Sequence, residues 1–279
     1  MLLLISPAKS LDYETPLPAA VHRKATEPAY AAQAEALITI LRRKSRDQVA
    51  ALMGLSEALA ALNVERYAAW RPEPLPGTTR PAALAFDGDV YGGLQARTLT
   101  SADLTWAQKH LVILSGLYGV LRPLDALQPY RLEMGTALAT PRGKDLYAWW
   151  GDTVAEHLNT LQAAEKAPVV ANLASIEYAR VALRPILRAR VVDFVFEELQ
   201  PSGEAKVISF YAKRARGLMA RHAILQRARS VDALLGFDAE GYRFVEAESE
   251  PGRLVFRRPF QPRVQPRAQP AAAPRVAKA

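Results

Sequence analysis

Three short, mainly apolar runs, Leu2–Ile5, Leu111–Leu114 and Val169–Leu173, most constrain the fold of this chain. Each is the length of a strand and ends on polar or small residues: Ser6-Pro7-Ala8-Lys9 after the first, Ser115-Gly116 after the second and Ala174-Ser175 after the third. Stretches of helical periodicity separate them. Short buried strands alternating with helices specify an α/β domain. The expected fold is a mixed α/β sheet with flanking helices in one compact domain over residues 1–258.

Composition removes several chemistries. With no cysteine among 279 residues, disulfides, thiolate nucleophiles and iron–sulfur ligation are excluded. The four histidines, His22, His110, His157 and His222, are scattered and make no metal-ligand spacing with a carboxylate, so no metal or other cofactor is expected. No apolar run approaches the roughly 20 residues that cross a bilayer. The opening Met1–Ile5 lacks a basic flank and meets Ser-Pro at once, unlike a signal peptide. A cytoplasmic protein with no membrane partner is the expectation. The formal net charge of +8 favours polyanionic partners.

Residues 27–44 carry Ala34, Leu37, Ile38 and Leu41 on one helical face, and Ser45 with Gln48 has capping-box spacing for a second helix. That helix meets Gly54, and further helix runs from Ser56 to Trp70. Over about 36–70 this reads as an inserted helix-hairpin-helix-like element centred on Met53-Gly54-Leu55, with a plain αα-hairpin as the alternative. Further along, Ala82–Phe86 reads as a strand, Asp103–His110 as a helix and Asp145–Gln162 as one long helix. Val191–Leu199 and Lys206–Tyr211 read as a hairpin about Pro201-Ser202-Gly203, Lys213–Arg229 as a basic helix, and Gly241–Val245 with Arg253–Arg257 as a closing strand pair. From Pro259 to Ala279 proline recurs among Arg, Gln and Ala with no acid, the composition of a disordered basic tail.

Polar chemistry collects in a few segments. The densest, Leu114–Gly135, follows a buried strand, where α/β sheets place ligands. Gly116 and Gly119 would let the backbone approach an anion, and Arg122 and Arg131 can pair with phosphate or carboxylate. Internal pairing of these arginines with Asp125 and Glu133 is the alternative reading. Lys9, Asp87-Gly88-Asp89, Gly143-Lys144-Asp145, Asn172 and Ser175 stand at other element ends, where they read either as turn and cap residues or as the walls of one polar cleft. Between Glu204 and Asp232 there is no acid, while Lys213, Arg214, Arg216 and Arg221 accumulate. Like charges at helical spacing repel unless an anion sits between them. Arg46 and Gly54 are the candidate phosphate contacts of the helical element.

Ile5-Ser-Pro-Ala-Lys9, Phe86-Asp-Gly-Asp-Val-Tyr91-Gly-Gly, Leu114-Ser-Gly-Leu-Tyr-Gly-Val-Leu-Arg-Pro-Leu-Asp125, Pro129-Tyr-Arg-Leu-Glu-Met-Gly135, Gly143-Lys-Asp-Leu-Tyr147, Asn172-Leu-Ala-Ser175 and Phe210-Tyr-Ala-Lys-Arg-Ala-Arg-Gly-Leu-Met219 occur in that order. In order and spacing they resemble the YaaA family of bacterial peroxide-stress proteins over residues 1–258. The resemblance implies an unusual α/β fold with a helix-hairpin-helix element and a positively charged cleft. It also implies binding to double-stranded or junction DNA without sequence preference, and a role in limiting unincorporated iron and oxidative DNA damage under hydrogen peroxide. Lys144, Lys213, Arg214, Arg216 and Arg221 are the residues inferred to make that cleft basic.

A second reading is an enzyme acting on a phosphorylated or nucleotide-like small anion between Lys9, Arg122 and Arg131. Glu133 or Asp125 would be its general base, and Tyr211 or Lys213 would stabilise developing negative charge.

Overall fold

The computed structural model describes residues 1–17 and 24–261. Its centre is a mixed sheet whose parallel core consists of β1 (Leu2–Ile5), β5 (Leu111–Ser115), β8 (Val169–Leu173), β9 (Arg190–Leu199) and β12 (Arg253–Pro259), in the spatial order β12-β9-β8-β1-β5. Three antiparallel strands complete it: β6 (Gly119–Leu121) on β5, β11 (Arg243–Phe244) on β12, and β10 (Ala205–Lys206) on β9. Two small ladders lie apart, β2 (Ser10–Leu11) with β4 (Phe86–Asp87) and β3 (Arg80–Pro81) with β7 (Ala126–Leu127). β1 lies between β8 and β5, with Leu4 in register with Asn172 on one side and Val112 on the other. All four residues of β1 are buried, which is why they are apolar without alternation. β9 alternates instead: Val192, Phe194, Phe196 and Glu198 point inward, and Phe194 and Phe196 stack on Phe256 of β12.

The helices α1 (Ala31–Arg42), α2 (Arg46–Met53) and α3 (Glu57–Ala69) follow β2. Ala34, Leu37, Ile38 and Leu41 are the buried face of α1, and Ser45 and Gln48 form a complete capping box on α2. Gly54 caps α2 in the left-handed conformation, φ 60°, and Ser56 caps α3. This section is tied to the central segment, because the Tyr67 hydroxyl donates to the Arg131 carbonyl and the Trp70 indole to the Tyr118 hydroxyl at 2.9 Å.

The remaining helices are α4 (Ala82–Ala85), α5 (Asp89–Leu94), α6 (Ser101–His110), α7 (Leu146–Trp150), α8 (Thr153–Glu165), α9 (Ile176–Ala182) and α10 (Ser209–Leu225). Three sequence expectations are corrected here. Ala82–Ala85 is a helical turn and only Phe86–Asp87 is strand; an alanine-rich run without β-branched residues favours helix, and so short a run has no decisive period. The helix expected over 145–162 is broken at Gly151, whose φ of 51° ends α7 before α8 begins. The strand expected over 206–211 stops at Lys206, and Ser209 opens α10. At the C-terminus β12 runs to Pro259, Phe260 N–H donates to Leu199 O at 3.0 Å, and Gln261 O accepts from the Tyr211 hydroxyl at 2.6 Å. The rest of the segment expected to be a basic tail, 262–279, lies outside the described residues. No helix among the described residues is long and apolar enough to cross a membrane.

Candidate functional site

From β1 the chain crosses to β5 on one side of it, and from β8 to β9 on the other. Connections that diverge in this way leave a crevice outside the carboxyl ends of the two strands. Ser6 and Ser175 stand there. Ser175 N–H donates to Ser6 Oγ at 2.9 Å, the two hydroxyls are 3.3 Å apart, and Tyr91 OH donates to Ser6 O at 3.1 Å. Beside them opens a cavity of about 300 Å³.

One wall carries Lys9, Arg131 and Glu133. Glu133 Oε1 is shared by Lys9 Nζ at 3.4 Å and Arg131 Nε at 3.2 Å, whereas its Oε2 is buried without a hydrogen-bond partner. Asp87 and Asp89 add carboxylates, and Glu177, also on the lining, accepts from Gly135 N–H at 2.8 Å. Lys213 and Arg216 enter from α10. Lys213 is exposed; Arg216 is partly buried, its Nε has no acceptor, and burial pushes its pKa down. Tyr130 and Tyr178 complete the lining, and burial pushes both phenols well up, so they act as neutral hydrogen-bonding groups. Tyr130 OH shares a 2.6 Å hydrogen bond with Ser115 Oγ.

Of the expected site residues, the structure therefore gathers Lys9, Arg131, Glu133, Lys213 and Arg216 with Asp87, Asp89 and Ser175. Others go elsewhere. Arg122 pairs with Asp125 at 3.1 Å, and Asp125, only 1% exposed, also accepts from Thr26 Oγ1 at 2.6 Å. This is the internal pairing read as the alternative, and neither residue lines the cavity. Burial, opposed by these hydrogen bonds, raises the Asp125 pKa. Tyr211 packs under the Arg258 guanidinium, 5.0 Å from its ring centroid, and is not on the lining. Arg214 pairs with Glu240 at 2.6 Å and donates to Gly92 O, and Arg221 donates to Leu94 O and Gln95 O at 3.2 Å each. Both arginines hold α5 against α10. Asn172 donates to Asp193 Oδ1 at 2.7 Å and faces a neighbouring groove. Lys144 is exposed ahead of α7, whose N-cap is Asp145. Arg46 reaches Glu57 at 3.0 Å, joining α2 to α3. Gly116 and Gly119 approach protein rather than an open anion site: a Cβ on Gly116 would lie 2.2 Å from Leu132 O, and one on Gly119 would lie 2.7 Å from the Trp150 ring.

Sequence reasoning did not single out Ser6, Tyr130 or Glu177 as lining. Ser6 had the same signal as Lys9, a polar residue directly after a buried strand. Tyr130 had none. Among the described residues, no group of three His, Asp or Glu side chains is arranged to hold a metal ion.

A family model described as peroxide stress protein YaaA matches residues 1–248. The chain belongs to the YaaA family. Relatives of high similarity are UPF0246 proteins. That of Leptothrix cholodnii is 64% identical over 258 residues, covering 92% of this chain and 98% of the relative. Those of Methylibium petroleiphilum and Bordetella pertussis are 59% and 56% identical over the same length, each covering 92% of this chain and 99% of the relative. The YaaA match spans every residue placed at the cavity.

Proposed function

We propose that this YaaA-family protein serves in the peroxide stress response by binding double-stranded and junction DNA through its phosphates, without reading sequence and without a cofactor. The observation that carries this reading is the meeting of Lys213 and Arg216 from α10 with Lys9 and Arg131 at the sheet's crevice. Arg216 Nε is a buried donor with no acceptor, and an oxyanion supplies one. Lys9 and Lys213 are exposed at the same place and suit a polyanion arriving from solvent. The turn at Gly54, with Arg46 at the opposite end of α2 and Lys144 on its own loop, is proposed as a secondary backbone contact of the helix-hairpin-helix kind. In the cytoplasm such binding is proposed to accompany a fall in unincorporated iron, and with it less oxidative DNA damage under hydrogen peroxide.

Fluorescence anisotropy of labelled duplex and four-way-junction DNA across a salt series tests this. Affinity should fall linearly in log–log form, and Lys213→Ala should lower the slope by about 1. Salt-insensitive binding, or none at low salt, would overturn it.

The second reading is an enzyme acting on a phosphorylated or nucleotide-like molecule in the same cavity. Glu133 supports it, since Lys9 and Arg131 hold one of its oxygens and leave the other bare. Asp125, Arg122 and Tyr211 have no part in this version.

A further inference from the structure

Phosphate contact alone leaves three features of the cavity unaccounted for. First, its lining is not uniformly basic, because Asp87, Asp89 and Glu133 stand among the cations. Second, it contains both an unpartnered buried acceptor, Glu133 Oε2, and an unpartnered buried donor, Arg216 Nε. A phosphodiester offers acceptors only, so it answers the arginine and leaves Glu133 Oε2 unmatched. Third, Ile176 is 89% exposed, although its chain neighbours Ser175 and Glu177 both line the cavity. It lines an adjoining groove instead, and Arg216 lines both that groove and the cavity.

A ligand that fits all three carries an anionic group together with neutral donors and acceptors. A nucleotide does so: its phosphate suits Lys9 and Lys213, and its base presents ring and exocyclic donors to carboxylates and acceptors to a guanidinium. Pockets for small molecules run from about 300 to 1,000 Å³. At about 300 Å³ the cavity has room for one nucleotide and none for a duplex. Tyr130 and Tyr178 supply ring surface beside it. An exposed isoleucine at the rim of such a cavity is the kind of apolar wedge that enters a base step and unstacks it. Proteins that handle single bases take them out of the stack into a pocket of this kind.

We infer that the cavity accepts one nucleotide, base inward, and that Ile176 is the wedge that frees it from a DNA strand. This rests on the DNA reading for its source of nucleotide, and the same cavity chemistry would admit a free mononucleotide.

The test uses the full chain and a fluorescein-labelled duplex containing 2-aminopurine, whose emission rises when it leaves the stack. Anisotropy reports binding, and the 2-aminopurine signal reports extrusion. A separate arm follows free dAMP by saturation-transfer NMR. The expected result is a severalfold rise in emission on binding that Ile176→Ala abolishes, with less than about a fivefold change in the Kd read by anisotropy. A dAMP signal lost in Arg216→Gln but kept in Ile176→Ala would identify the free nucleotide as a second source. Binding by anisotropy with neither an emission rise nor a dAMP signal overturns the inference and leaves the DNA reading standing. No binding by anisotropy overturns the DNA reading and with it the wedge, and if dAMP also gives no signal the nucleotide site falls too.

Discussion

Gly217 of α10 presses against Val90 of α5 so closely that a Cβ on the glycine would lie 1.8 Å from the Val90 carbonyl oxygen. The approach is mutual, since a Cβ on Gly93 would lie 2.2 Å from Arg214 O. With no side chain between them the two backbones meet, and the Arg214 and Arg221 hydrogen bonds close over the contact. The helix packed in this way carries Lys213 and Arg216, which line the cavity.

Gly217→Ala should therefore be costly, because the obstructing atom is backbone and cannot swing away. Overpacking of this kind costs about 1–3 kcal/mol or more. A fall in the urea midpoint with an unchanged m-value would be the expected readout. An unchanged midpoint would mean that the helices separate freely.

Replacing Glu133 with Gln removes the charge that Lys9 and Arg131 share. The two cations then become available to phosphate. Duplex affinity at low salt should rise about fivefold, the equivalent of about 1 kcal/mol for one partly screened pair. Weaker binding by a folded variant, measured by anisotropy, would show that the carboxylate itself contacts the ligand.

At the far edge of the sheet Arg258 and Glu198, 4% and 1% exposed, pair at 2.9 Å, and Tyr242 OH donates to the same carboxylate. Arg258→Ala leaves Glu198 charged and buried, at a cost of about 3–5 kcal/mol. The double variant Arg258→Met, Glu198→Leu should lose much less, and a double-mutant cycle by chemical denaturation separates the two costs.

Burial holds His110, His157 and His222 below their usual pKa of 6.5. The folded state binds protons less readily than the unfolded chain, so their contribution to stability is complete above about pH 6.5 and is lost as pH falls below it. Tm should drop between pH 7.5 and 5.5, and NMR titration should give at least these three imidazoles values under 6.5. A flat Tm over that range would contradict the sign.

Much of the scaffold was legible from residues alone, for local reasons. β1, β5 and β8 are interior strands, β1 and β8 with parallel neighbours on both sides and β5 between parallel β1 and antiparallel β6, and burial on both faces leaves a mainly apolar run. The buried face of α1 and the capping box at Ser45 follow from spacing over a few residues. Reading failed where a short segment's preference is weak. The run 82–85 favours helix by composition but is too short to show a period, and it follows Pro81 and the β3–β7 ladder.

The sequence by itself determined an α/β domain of the YaaA family, with polar residues set just past its buried strands, because strand length, capping and motif order are written in neighbouring residues. Which of those residues form a site was decided only by the tertiary structure. Arg122, Arg214 and Arg221 look in sequence like Arg131 and Arg216, since a guanidinium's partner is a long-range contact. Asp125, Glu240 and the carbonyls of α5 occupy the first three, while the crossing of the chain at β1 and β8 leaves Arg216 facing the cavity with a donor to spare.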